Sequence, residues 1–237
     1  MLRMLYALIL SIYAIPAFAN TLPERVGNAL LHVIAHETGH AVLREFDIPI
    51  LGPEEDIAED FATTFIYLTL PDRAEAIIEA RAAQHRADGA RPGPFSEYRP
   101  DDQMAGRMIC LLYGFDPDRY TALADRNAMD EDVRDTCADI APELLRSWRR
   151  TLAPLWIDPE ARVTEVGLRA DPELEAIAIA NRDLVENALT ILSRIDWHSR
   201  ITLDLTQCDG TAGWQRNGRR IFLCSAYVDR MVAQLAE

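Results

Sequence analysis

Apolar residues recur three and four positions apart through most of this chain, and that period predicts helices. Over residues 21–46 they nearly encircle the axis: Val26, Leu30, Leu31, Val33, Ile34, Ala35, Ala41, Val42 and Leu43. A helix that is apolar all round belongs in a core. Thr21-x-x-Glu24 reads as a capping box at its start, with Pro23 in the first turn. Residues 47–51 make a short connection. Gly52-Pro53 opens a second helix that runs through Phe61 and Phe65 to about residue 68. A third begins at Pro71-Asp72, with Glu75 three residues beyond the capping aspartate. Residues 88–100 hold two glycines and three prolines and read as a loop. Helices follow over 101–113, 117–127 and 130–151, the last open to a break at Pro142. Residues 154–167 look irregular or weakly extended. Asp171-Pro172-Glu173 starts another helix, to about Ile195. The period then changes to two. Residues 201–206 alternate as a strand, 220–224 form a second, and Asn217-Gly218 between them signals a hairpin. The expected class is mainly α (α+β), with a small C-terminal β-hairpin over 201–224.

The first 19 residues stand apart. Arg3 is followed by an apolar run over residues 5–15, then Pro16 and Ala17-Phe18-Ala19, which is the layout of a secretory signal peptide with an A-x-A cleavage site. The run is short for a stable membrane span, although an uncleaved anchor is the alternative. Residues 20–237 then form one domain, with a possible subdivision near 154, in the periplasm or outside the cell. Cleavage would leave no apolar stretch long enough to hold the chain in a membrane. In an oxidising compartment the four cysteines imply two disulfides. The simplest pairing is local, Cys110–Cys137 and Cys208–Cys224, against a reading of free buried thiols. The formal net charge of −14 argues against nucleic acid as a partner, since a phosphate backbone rewards a basic face. The same field disfavours acidic substrates and anionic membranes.

The chemistry is concentrated in His36-Glu37-Thr38-Gly39-His40. Positions i and i+4 of a helix share a face, so both imidazoles can reach one metal ion. The glutamate after the first histidine sits close enough to take a proton from a water activated there. Chance alone would produce this pattern in a chain of this composition with an expectation of roughly 0.008. Two histidines and a glutamate on a buried helix also need partners. Hydrogen bonds within a core are the bland solution, and a zinc ion is the other. A catalytic zinc takes three protein ligands and leaves a fourth position open. The metzincin spacing would require Gly at 43 and His at 46, where Leu43 and Phe46 stand, so the third ligand comes from elsewhere.

The start of the second helix offers Glu54-Glu55-Asp56-Ile57-Ala58-Glu59-Asp60. Glu55 and Glu59 lie one turn apart with small Ala58 beside them. This resembles the E-x-x-A-D element of gluzincins, in which the first acid binds zinc and the last orients the first histidine. The resemblance implies Glu55 as the third ligand and Glu59 as the orienting carboxylate. Glu59 stands where an aspartate is usual, which leaves Glu59 itself as the alternative ligand. Glu54 and Asp56 suit stabilisation of a helix N-terminus. Asn28, the HETGH motif, residues 47–52, Glu54-Glu55-Asp56 and Phe61-Ala62 together resemble a bacterial family of uncharacterised metallopeptidases. Weaker likeness continues over residues 103–117, including Cys110 and Tyr113-Gly114, and at Trp148. It implies an exported zincin-like helical core and says little about substrate.

The remaining candidates are His32, one turn before His36, and a set able to donate to an oxyanion: His85, His198, Tyr98, Arg99, Arg107, Tyr113 and Tyr227. The sequence does not choose among them. Trp148 and Trp156 read as core. The expected activity is zinc-dependent hydrolysis of a peptide or protein substrate, with Glu37 as general base. A zinc-binding scaffold without turnover and a hydrolase of a non-peptide bond are the alternatives. Many peptidases hold substrate along a sheet edge, and here only the C-terminal hairpin could supply one. Nothing in the sequence indicates an oligomeric state.

Overall fold

The apolar helix at the start of the chain forms α1 (Glu24–Glu45), and most of the structure is built around it. This computed structural model describes residues 21–161 and 164–235, so the proposed signal peptide lies outside the described residues. The capping box does not form: α1 follows Pro23 with no side-chain cap. Instead the Leu22 N–H donates to Asn181 Oδ1 at 2.8 Å, which fixes the chain's approach from a distant helix. At the other end Asp47 takes a left-handed conformation (φ 49°) and the Ile48 N–H reaches the Leu43 carbonyl. That Schellman-type closure turns the chain back towards α2.

Five helices follow: α2 (Glu54–Thr69), α3 (Ala74–Asp88), α4 (Asp101–Phe115), α5 (Thr121–Arg126) and α6 (Glu131–Leu152). α3 ends at Gly89, whose φ of 59° suits a residue without Cβ. α6 runs unbroken through Pro142. The proline is exposed, so the carbonyl left without a partner faces water. The helix expected over 171–195 is two pieces, α7 (Glu175–Ala180) and α8 (Arg182–Ser193). Asn181 separates them, and its side chain competes for helix hydrogen bonds by donating to the Ile177 carbonyl at 2.7 Å. A final helix, α9 (Ser225–Leu235), closes the described chain.

The C-terminal β element is larger than a hairpin. It is a four-stranded sheet of β1 (Val166–Ala170), β2 (Ile201–Thr206), β3 (Ala212–Gln215) and β4 (Arg220–Cys224), in the order β1-β2-β4-β3. The strands expected to face each other as a hairpin, β2 and β4, instead pair in parallel, with Leu203 beside Ile221. The connection between them is too long for a tight turn, and β3 folds into it. The hairpin signal at Asn217-Gly218 serves β3 and β4, which pair from Gln215–Arg220 to Ala212–Leu223. The Arg219 N–H closes that turn on the Arg216 carbonyl at 3.1 Å, and Arg219 itself is left-handed. β3 is therefore an edge strand, and it lies against α1.

Cys110 bonds to Cys137, joining α4 to α6, and Cys208 bonds to Cys224, joining the approach to β3 to the end of β4. The core is continuous from Val26, Leu30 and Ile34 through Phe61 and Phe65 to Trp197, Leu203 and Ile221. Trp148 sits in it, edge-on to Phe61, and half-buried Trp156 packs against it, edge-on to Phe65. No helix among the described residues is long and apolar enough to cross a membrane.

Candidate metal centre

The centre depends on how closely α1 and α2 approach. A methyl group on Gly39 would come within 2.9 Å of the Phe61 ring and 3.2 Å of the Ala58 Cα. Two small residues at the crossing let the backbones meet there. Glu55, one turn before Ala58 on α2, and Glu59, the residue after it, are thereby brought up to the histidine face of α1.

Three donor atoms converge. His36 Nε2 lies 3.1 Å from His40 Nε2, and Glu55 Oε2 lies 3.3 Å from the first and 3.5 Å from the second. The other ring nitrogens are held from behind. His36 Nδ1 is 2.6 Å from Glu59 Oε2, and His40 Nδ1 is 2.9 Å from Glu54 Oε1. A carboxylate on Nδ1 fixes the tautomer with its lone pair on Nε2. Both Nε2 atoms then face Glu55. For a tetrahedral zinc with bonds of about 2.0–2.1 Å, neighbouring ligand atoms stand roughly 3.3 Å apart. The observed separations bracket that figure, so the residues present fit such an ion. These three are the group of His, Cys, Asp and Glu side chains, among the described residues, able to share one metal.

Glu54 does more than the sequence suggested. It caps no helix backbone; it binds His40 and is itself paired with Arg44, one turn beyond His40 on α1. Asp56 pairs with Arg99 at 2.7 Å and Asp60 with Arg107. Those bonds place both arginines outside the cleft. Glu59 anchors a wider buried cluster: its Oε1 is 3.0 Å from His85 Nε2, 3.7 Å from Arg81 Nε and 3.9 Å from His32 Nδ1. His85 in turn bonds Asp101 at 2.8 Å. His32 is fully buried, and burial takes its pKa down to about 3, so it is neutral. His198 packs on Phe46, and Tyr113 is buried in the core.

Electrostatics follow from burial and crowding. Burial lowers the His36 pKa, but the carboxylates of Glu59, Glu55 and Glu37 outweigh it and raise the value to about 10. Burial also disfavours ionised Glu55, yet the hydrogen bonds from His36 and His40 hold its carboxyl well below the usual range. Without a metal the carboxylates recruit protons onto the imidazoles. Glu37 behaves oppositely: burial raises its pKa, against the pull of His36 and His40.

Glu37 faces a cleft of about 500 Å³ lined by His36, His40, Glu55, Arg81, Tyr98 and Tyr227 on one side and residues 211–214 on the other. The Trp214 backbone beside Glu37 favours its ionised form, against the effect of burial. Thr211 meets β4 through its carbonyl, which accepts from the Cys224 N–H. Strand alternation then turns the backbone groups of Ala212 and Trp214 to the opposite side, along the cleft. Of the candidate oxyanion donors, Tyr98 and Tyr227 reach the cleft. Burial, together with the Glu55 carboxylate nearby, pushes the Tyr98 pKa up to about 12. Sequence reasoning missed Glu54, Arg81 and β3 as parts of this site. The i, i+4 pair His40 and Arg44 opposite an acid was a signal for Glu54; the Asn217-Gly218 turn was one for β3, read as joining 201–206 to 220–224; Arg81 left none.

Residues 12–152 match the sequence profile of a family described as "Putative metallopeptidase". The match spans α1 to α6, including the whole histidine and carboxylate cluster, and ends before the sheet. No curated protein and no solved structure matches the chain. With more than half of its length matched and the HETGH helix inside the matched region, the chain belongs to that metallopeptidase family.

Proposed function

We propose that the protein is a zinc-dependent hydrolase of peptide bonds, exported from the cytoplasm, with His36, His40 and Glu55 holding the metal and Glu37 acting as general base. The observation that carries this is the convergence of His36 Nε2, His40 Nε2 and Glu55 Oε2 at tetrahedral spacing, with each histidine's other nitrogen fixed by a carboxylate. Zinc bound there would supply a Lewis acid that brings the pKa of its water towards about 7. Glu37 would take a proton from the attacking water and pass it to the leaving amine. Its raised pKa suits both steps, because a carboxylate of ordinary acidity returns a proton less readily. Glu59 and Glu54 keep the imidazoles in the tautomer that leaves Nε2 free. Tyr98, held protonated, donates to the carbonyl oxygen as charge develops on it.

Two features favour an enzyme of peptides over a scaffold or another hydrolase. Among the described residues three donors and not four converge, which fits an open coordination position. The free edge of β3 runs along the cleft, and an extended peptide can add to it as a further strand. The two disulfides fit an oxidising compartment. The test is zinc content and cleavage of a quenched-fluorescent peptide library by the mature protein and by Glu37→Gln. About one zinc per chain is expected in both, with cleavage reduced at least about hundredfold in the variant. Absence of zinc, or full activity without Glu37, overturns the reading.

A further inference from the structure

Arg81 is the least satisfied charged group near the centre. It projects from α3, is about nine-tenths buried, and lines the same cleft as Glu37. A guanidinium carries five N–H donors. Nη1 donates to Gln84 Oε1 and, at 3.4 Å, to the Tyr227 hydroxyl. Nε is sealed from solvent, 3.7 Å from Glu59 and without a hydrogen bond. Nη2 has no partner among the described residues, yet it is not one of the sealed atoms. The accessible part of this guanidinium therefore opens on the cleft. Leaving buried donors unmade costs stability, and no ion pair within hydrogen-bonding distance repays it.

The setting selects the partner. The other cation lining the cleft, Arg44, is engaged by Glu54. Every other charged group lining it is a carboxylate or a metal-facing imidazole. Tyr227, from α9, accepts from Arg81 and keeps its own O–H free to donate. A planar cation with free donors beside a phenol hydroxyl matches two carboxylate oxygens.

We infer that Arg81 and Tyr227 form a carboxylate-binding subsite that selects substrates bearing a free carboxylate near the bond to be cut. The strongly acidic surface repels anions in general; this pair admits one at a single place. The carboxylate is either the substrate's own C-terminus or an Asp or Glu side chain. The selection of substrates rests on the proposed peptide hydrolysis, whereas the binding of a carboxylate does not.

The experiment has two parts. Binding is read by NMR on zinc-loaded protein, following the Arg81 Nε–H signal during titration with N-acetylalanine and with N-acetylalaninamide. The acid should shift the signal and saturate, and the amide should not. Tyr227→Phe should weaken the acid's binding and leave the fold intact. Catalysis is read with peptide pairs of one sequence: free C-terminus against C-terminal amide, and internal Glu against Gln. One pair should show a preference for the carboxylate form on the order of tenfold to a hundredfold, carried by KM. Which pair shows it identifies the source. In Arg81→Gln and Tyr227→Phe the ratio within that pair should fall towards one, whatever happens to absolute rates. Equal response of Arg81 to acid and amide, or a preference that survives both substitutions, overturns the subsite. If carboxylates bind at Arg81 but no peptide is cut, the subsite stands and the peptidase reading fails.

Discussion

Glu59 Oε2 stands 2.6 Å from His36 Nδ1, while the other oxygen of the same carboxylate faces His85 at 3.0 Å. One buried carboxylate thus holds His36 by its back and is itself held by α3. Glu55, a turn earlier on α2, meets the front of the same ring at Nε2. The two glutamates approach opposite nitrogens, as the proposed roles of ligand and orienting group require.

Substitution should separate them in the same way. Glu55→Ala is expected to abolish stable zinc binding, because a donor to the ion is removed. Glu59→Ala should retain zinc with affinity lowered about 10–100-fold, as for other losses behind a ligand. Glu54→Ala should fall at the mild end, near tenfold, since His40 and Arg44 are more exposed than the Glu59 cluster. Competition with a zinc chelator measures all three. Tight zinc in Glu55→Ala with loss in Glu59→Ala would exchange the roles of the two acids.

Gly39→Ala tests the helix crossing. Alanine improves helix propensity by about 1 kcal/mol, but its methyl would press on the Phe61 ring at 2.9 Å and on the Ala58 backbone at 3.2 Å. Phe61 is fully buried and has no room to swing aside. Overpacking of this kind costs about 1–3 kcal/mol, so the net change should be destabilising. The strain also pushes α2 away from α1, so zinc affinity should fall in a variant that alters no donor. Denaturant midpoints and chelator competition check both effects; a variant that is more stable and binds zinc normally would show that the close crossing is not needed.

The parts that were legible in the sequence lie within one helix or one strong local signal. His36, Glu37 and His40 share a face because a single helix places them there. The glycines and prolines of the 88–100 loop punctuate the chain regardless of tertiary context. The sheet was harder. β3 reads Ala-Gly-Trp-Gln, with neither alternation nor β-branched residues, and it becomes a strand by pairing with β4. Missing it turned a parallel pair into an apparent hairpin. Glu54 was obscured differently: an acid in the first turn of a helix is already explained by the helix dipole, which masked the signal of the His40 and Arg44 pair opposite it. Arg81 lies 44 positions beyond Glu37 on a helix whose exposed face is ordinary, and only the packing of α3 and α9 brings it to the cleft.

The disulfides should matter for both stability and the cleft. Each closes a loop, of 27 residues for Cys110–Cys137 and 16 for Cys208–Cys224. Chain-entropy arguments give about 3–4 kcal/mol for either. Replacing both cysteines of the first pair by serine should lower the denaturant midpoint by a corresponding amount. Losing the second pair should also free the segment leading into β3, the strand beside Glu37. Hydrogen exchange of the amides of residues 212–215 should accelerate in that variant and not in the first. Equal protection of β3 in both would show that its pairing with β4 suffices to hold it.

Proton release on metal binding follows from the same carboxylates that orient the histidines. In the metal-free protein, burial lowers the His36 pKa from its ordinary 6.5, but Glu59, Glu55 and Glu37 carry it up to about 10. His40 is raised as well, with burial outweighed by Glu55 and its neighbours. At neutral pH His36 is therefore protonated, and its Nε2 must lose that proton before the lone pair can reach a metal. Zinc binding at about pH 7 should release about one proton, and apparent affinity should rise about tenfold per pH unit until the pKa is passed. Stability moves the other way without metal. A group whose folded pKa exceeds its unfolded pKa contributes stability that is complete below the unfolded value and is lost as pH rises through the folded one. For His36 that window runs from 6.5 to about 10. The metal-free protein should lose part of this contribution on going from about pH 6.5 to about pH 8.5, and the rest as pH nears 10, while zinc-loaded protein does not. The gap between their melting temperatures should widen accordingly. Calorimetric titration with zinc in buffers of different ionisation enthalpy counts the protons, and paired melts with zinc and with chelator measure the gap. Zinc affinity flat across this range, with no proton released, would mean that His36 is already neutral and that Glu59 orients it without recruiting a proton.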